Sequence, residues 1–311
     1  MPLIRINAEG TRPVLHGSPQ APSKLLAQAR VGTGPIIVMT HGCKYEPGHA
    51  LHCPHRTILA LSQTGTNRTV MSWPEKLGFG QGNPDEGLAI AFGWNGRGGL
   101  MQARQRAVEA GYALAEVVRY LHQIAPHRPV HFIGHSMGVE LALEALHHLP
   151  PGGLSRIISL TGAAYHKRAR AALKTDAGQS ATFINVISRE NDLFDFLFEC
   201  LIAPPEPGDR ALGQGLSARN AVTLQLDCRR TLEHISRFAG PVVGPERRIC
   251  HWSSYRRPGA LAFYNALLRA PEGFDLSLLR IGLPTTPAPR WSRLMSLPQP
   301  QFSLPFTQKA S

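Results

Sequence analysis

Val130-His131-Phe132-Ile133-Gly134-His135-Ser136-Met137-Gly138 runs directly into Val139-Glu140-Leu141-Ala142-Leu143-Glu144-Ala145-Leu146. The first part is an apolar β-type run, the last part has a helical pattern, and Gly-x-Ser-x-Gly joins them. In this setting the motif reads as a strand–turn–helix elbow. Gly134 and Gly138 leave room for a tight turn and for close approach of a neighbouring chain, with Ser136 at the apex. A helix N-terminus beneath the serine puts positive dipole where an oxyanion would form during acyl transfer. The competing reading is a small-residue turn that buries an inert serine; the flanking strand and helix favour the elbow.

Outward from the elbow, strands alternate with helices. Pro35–Thr40 is a continuous apolar run bounded by Gly34 and Gly42 and reads as a buried parallel strand. Thr57–Leu61 reads as a short helix, Leu88–Trp94 as a strand, and Met101 to about Ile124 as a long helix closed by Pro126 and Pro129. The helix of the elbow extends to about Leu149, where Pro150-Pro151-Gly152-Gly153 stops it. Further strands are expected at Ile157–Leu160, Phe183–Ile187 and Ala221–Leu226, with helices at Ala163–Leu173 and Gly259–Leu268. The alternation predicts an α/β protein with a mostly parallel sheet covered by helices on both faces. Residues 1–30 read as a loop-like N-terminal extension, 31–270 as the folded domain, and 271–311 as a proline-rich C-terminal tail, expected to be disordered or loosely draped.

The chain has 311 residues and is 43% hydrophobic, enough for a full core. No apolar stretch has the length of a membrane span, and Met1-Pro2-Leu3-Ile4-Arg5-Ile6-Asn7 lacks the apolar region of a secretory signal, so the sequence reads as cytoplasmic. Five scattered cysteines form no disulfide framework. His41, Cys43, His49, His52, Cys53 and His55 crowd one loop, but without finger spacing they read as a histidine-rich loop at an active-site mouth and not as a metal centre. The net charge of +12 is spread along the chain in pairs such as Arg247-Arg248. No nucleic-acid signature accompanies it, and peripheral association with an anionic surface is the partner it suggests. No glycine-rich nucleotide motif appears, so no cofactor is implied.

The strand ending in His41-Gly42, the elbow around Ser136, and a later acid and histidine together resemble the α/β-hydrolase superfamily, over roughly Pro35 to Leu268. The final His-Trp-Ser segment is also similar to that of a little-characterised group of bacterial hydrolases. The resemblance implies an α/β-hydrolase fold with a minimal cap and a Ser…Asp…His order. Ser136 is then the nucleophile and His251 the general base, from a loop before the last helix. Asp192, shortly after the Phe183–Ile187 strand, is the first candidate for the orienting acid; Asp195 and Asp227 are the others. His234 falls on an amphipathic helix and reads as a surface or packing residue. Backbone N–H groups of Met137 and Cys43 would form the oxyanion hole. The implied activity is hydrolysis of a carboxylic ester or thioester, with a small-molecule or lipid-like acyl substrate. Acyl transfer and a non-catalytic binding protein are the alternatives. The apolar run Leu193–Ile202 reads either as a pocket wall or small lid, or as a buried core helix. Trp73, Trp94 and Trp252 are candidate cleft residues or ordinary packing residues.

Overall fold

The computed structural model describes residues 3–61 and 71–288. The chain begins with β1 (Leu3–Glu9), β2 (Arg12–Leu15), α1 (Ser23–Leu26), β3 (Ile36–Thr40), α2 (Trp73–Lys76) and β4 (Leu88–Gly93). Then come α3 (Leu100–Ile124), β5 (Val130–His135), α4 (Val139–Ala145), β6 (Arg156–Leu160), α5 (His166–Lys174), α6 (Asp176–Ser180) and β7 (Thr182–Ile187). The last elements are α7 (Asp192–Leu201), β8 (Ala221–Gln225), α8 (Arg229–Ala239), α9 (Ser253–Arg256), α10 (Ala260–Arg269) and α11 (Leu276–Ile281).

The strands form one sheet in the order β2-β1-β4-β3-β5-β6-β7-β8, parallel except for the β1–β2 pair. The apolar runs are continuous because both faces are covered. Successive side chains alternate between faces. Ile36, Val38 and Phe132 join a core with residues of α3 and α4. Ile37, Met39 and Ile133 join a second core with residues of α2, α8 and α10. Only α5, α6 and short loops separate β6 from β7, so no large cap is inserted there. This is the α/β-hydrolase architecture.

Three expectations need correction, and one open alternative is decided. The first thirty residues are not loop-like: β1 pairs in register with β4, Leu3 to Asn7 facing Ala89 to Gly93. Alternation in Leu3-Ile4-Arg5-Ile6 is the signal that was available, and Ile4 and Ile6 are buried in the core. Thr57–Leu61 forms turns and no helix, following a 3₁₀ turn at Pro54–Arg56. Thr57 leaves helical backbone at φ −126° and ψ −114°, which ends that turn, and Ile58 and Leu59 are buried without a helical repeat. The segment after Pro271 is in part ordered: Phe274, Leu279 and Leu283 are buried against the second core. The expectation for residues 289–311 lies outside the described residues. Finally, α7 is not a buried core helix. Phe198 and Ile202 pack inward, while Leu193, Phe196, Leu197 and Leu201 face outward.

Candidate active site

The turn after β5 puts Ser136 at a φ of 54°. A non-glycine residue is held in this left-handed region only where the surroundings over-determine it. Two other non-glycine residues share that strain, Lys44 at 74° and Thr161 at 44°, just beyond the C-terminal ends of β3 and β6. Three adjacent strands thus end in strained backbone at the C-terminal end of the sheet, where parallel sheets place their ligands.

Two glycines explain how closely the turns meet. A Cβ on Gly42 would lie 2.8 Å from Ser136 Cβ, and one on Gly138 would lie 2.2 Å from the His41 carbonyl oxygen. The His41-Gly42-Cys43 turn is therefore seated directly on the elbow. Trp94 clamps it: its backbone N–H donates to His41 Nε2 at 3.1 Å and its indole N–H to the His41 carbonyl at 3.0 Å. His41 Nδ1–H donates to the Gly42 carbonyl at 2.8 Å. Burial lowers the His41 pKa to about 4, so the ring is neutral near pH 7 and serves as structure. Cys43 Sγ lies 3.6 Å from Met137 Sδ, which brings the two oxyanion candidates face to face. Burial pushes the Cys43 thiol up to about 11, so it stays protonated and is a poor nucleophile.

His251 stands on the loop before α9 and is held from four sides. Cys250 N–H donates to the Glu190 carbonyl at 2.8 Å. The His251 carbonyl accepts from His135 Nε2–H at 3.0 Å and from the Thr161 hydroxyl at 3.5 Å. Its ring stacks on Phe194, with centroids 4.5 Å apart and planes 26° apart. Its Nδ1–H donates to Asn191 Oδ1 at 2.6 Å. That bond selects the tautomer whose Nε2 carries the free lone pair. Burial first, then His135 and Lys44, hold the His251 pKa well below the ordinary imidazole value.

The Asn191 contact was not foreseen. Asp192, the predicted acid, is the next residue, buried at the start of α7. Asp195 is also buried, and a Cβ on Gly213 would fall 2.0 Å from its Oδ2, so Gly213 lies directly against this carboxylate. Asp227 is committed elsewhere: it accepts the Arg189 backbone N–H at 3.0 Å and binds the Arg189 guanidinium. Beneath this turn, Glu190 and Arg257 form a buried ion pair that ties the β7–α7 loop to the segment following His251. Removing one partner of such a pair typically costs about 3–5 kcal/mol.

His135 is the second residue that sequence reasoning missed. It occupies the variable position before Ser136, and its pKa is lowered to about 4 by burial against the opposing effect of the His251 carbonyl. His234 packs as expected, its Nε2 against the carbonyls of Leu278 and Leu279. Trp73 is wholly buried, Trp94 serves the clamp just described, and Trp252 is exposed beside His251. In the histidine-rich loop, His55 turns inward: its Nε2 bonds Asn7 Oδ1 at 2.7 Å and its ring lies 4.2 Å from that of His16. Among the described residues, no group of three His, Cys, Asp or Glu side chains is arranged to hold a metal ion. Among them also, no helix is long and apolar enough to cross a membrane.

A family described as "Alpha/beta hydrolase of unknown function (DUF900)" matches residues 24–157, which span β3, β4, α3, the elbow and α4. The match supports a hydrolase-like function. No curated protein matches the chain.

Proposed function

We propose that the protein is a serine hydrolase that cleaves a carboxylic ester or thioester through an acyl-enzyme on Ser136. The observation that carries this reading is the pairing of a strained Ser136 with a neutral His251 held in the Nδ1–H tautomer beside the elbow. A serine hydroxyl at its ordinary pKa is a weak nucleophile and needs an adjacent base. His251 Nε2 takes the Ser136 proton as Oγ bonds to the acyl carbon, and the carbonyl electron pair moves onto oxygen. The backbone N–H groups of Met137 and Cys43 receive that oxyanion; one such donor is worth about 3 kcal/mol. Collapse of the intermediate expels the alcohol or thiol, which leaves with the proton from His251. Water, deprotonated by the same imidazole, then releases the acid and restores the serine.

Asn191 orients the imidazole through its Oδ1. Asp192, one residue along the same turn, is assigned the negative charge that offsets the imidazolium formed during attack. No step calls on a metal or an organic cofactor.

Active-site titration tests the reading. A fluorophosphonate probe is expected to label Ser136 in the wild type, to leave Ser136→Ala unlabelled, and to react far more slowly with His251→Ala. Turnover of short-chain nitrophenyl esters or acyl thioesters should follow labelling. A folded wild-type protein that neither labels nor turns over any ester or thioester would overturn the assignment.

A further inference from the structure

Helix α7 is built inside out. Leu193, Phe196, Leu197, Cys200 and Leu201 follow the i, i+3, i+4, i+7, i+8 spacing of one helix face, and all five are exposed. The four large apolar members keep between 44% and 60% of their surface in solvent. The acidic residues point the other way. Asp192 and Asp195 are buried, and Glu199 Oε1 accepts from the Ala211 N–H at 2.9 Å and from Gln214 Nε2 at 3.3 Å. A helix that only had to cover this core would carry the reverse pattern, so the outward stripe calls for an apolar partner.

Two further exposed apolar side chains stand on the loop that carries His251. Ile249 and Trp252 are 56% and 40% exposed, and that loop is joined to the start of α7 by the Cys250–Glu190 and His251–Asn191 bonds. Exposed charges flank the loop in sequence, Glu246, Arg247 and Arg248 before Ile249 and Arg256 after Trp252, three cations against one carboxylate. Lys44, also exposed, lies close enough for its charge to be felt by His251. Apolar side chains bordered by cations, with a tryptophan at the boundary, match an anionic lipid surface. A second copy docked face to face would oppose these cations with their own replicas, which is unfavourable. Residues 289–311 add Arg290, Arg293 and Lys309 and no Asp or Glu side chain to set against these cations.

We propose that the outward face of α7, with Ile249 and Trp252, docks onto an anionic lipid bilayer and turns the mouth of the Ser136 site toward it. Docking needs only this surface. Its consequence for substrate, that the acyl group is drawn from or through the lipid layer, rests on the function proposed above.

The test uses the full-length chain, as wild type and as the Phe196→Glu/Leu197→Glu double variant. Vesicles of phosphatidylcholine alone are compared with vesicles containing about 30% phosphatidylglycerol. Wild type is expected to sediment with the anionic vesicles at low salt, and a Trp252→Phe control should reduce the accompanying blue shift of tryptophan emission. The double variant should bind those vesicles at least about tenfold more weakly, because two charges must enter the interface. Its fluorophosphonate labelling should stay within about twofold of wild type, since neither residue belongs to the catalytic machinery. Wild type that stays in solution, or a double variant that sediments equally well, would overturn the proposal. So would a wild-type dimer that the double variant dissolves, because a second copy would then cover the face. Ser136→Ala should sediment like wild type, so a failure of the hydrolase reading and a failure of docking are read on separate channels.

Discussion

His135 donates its Nε2–H to the backbone carbonyl of His251 at 3.0 Å, so the residue next to the serine holds the loop that bears His251. The two rings lie 4.5 Å apart. Elbow and histidine loop, 116 positions apart in sequence, are fastened to each other by this bond, and Thr161, just beyond β6, holds the same carbonyl.

Replacing His135 by leucine is expected to lower kcat/KM by about 10–100-fold, since small displacements of a catalytic group carry penalties of that size. The loss should fall mainly on kcat. His135→Gln, which retains an N–H donor, should recover part of it. Steady-state kinetics beside circular dichroism separate this effect from unfolding; equal defects in the leucine and glutamine variants would argue against the bond.

Asn191 and Asp192 make different contributions and should separate on mutation. Asn191→Ala removes the acceptor at His251 Nδ1 and is expected to cost about 10–100-fold in kcat/KM. Asp192→Asn removes charge at nearly constant shape and is expected to cost more, up to about 10⁴-fold, if it offsets the imidazolium. Single-turnover acylation rates of the two variants check this. A silent Asp192→Asn would leave the orienting role to Asn191 alone.

Acid pH should act on activity and stability in the same direction. Burial first, then His135 and Lys44, depress the His251 pKa, so the ring stays unprotonated to a lower pH than a free imidazole. The acidic limb of kcat/KM is therefore expected below about pH 6.5, the ordinary histidine value. For stability, His41, His131 and His135 are each lowered to about 4 by burial. Above about pH 6.5 the folded and unfolded forms are both neutral and the full stability is present. As pH falls from there toward 4, the unfolded chain takes up protons that the folded chain excludes, and stability is lost, by at most on the order of 3 kcal/mol per histidine. Urea unfolding midpoints across this range measure it; a midpoint unchanged from pH 7 to pH 4.5 would contradict the burial of neutral imidazoles.

The central sheet was legible because its strands are buried on both sides. Ile36-Ile37-Val38-Met39 and Leu88-Ala89-Ile90-Ala91-Phe92 leave no polar position that would suit another element. The amphipathic β1 was harder to read, since a short edge-side strand with Arg5 and Asn7 resembles a loop until β4 supplies its partner. Helix α7 stayed open for a related reason: its composition suits a core helix as well as a pocket wall, and only the positions of Asp192 and Asp195 against the body of the protein show which face is inside.

Local chemistry alone specified the elbow, the His-Gly turn and the parallel architecture, because glycine geometry and hydrophobic period act over a few residues. Which side chain meets His251 Nδ1, and which face of α7 meets solvent, depended on contacts between residues distant along the chain. Neighbours such as Asn191 and Asp192 carry almost the same local signal, and a one-residue difference points their side chains about 100° apart on a helical turn. Tertiary packing sets that rotation by fixing where the β7–α7 loop meets the loop before α9.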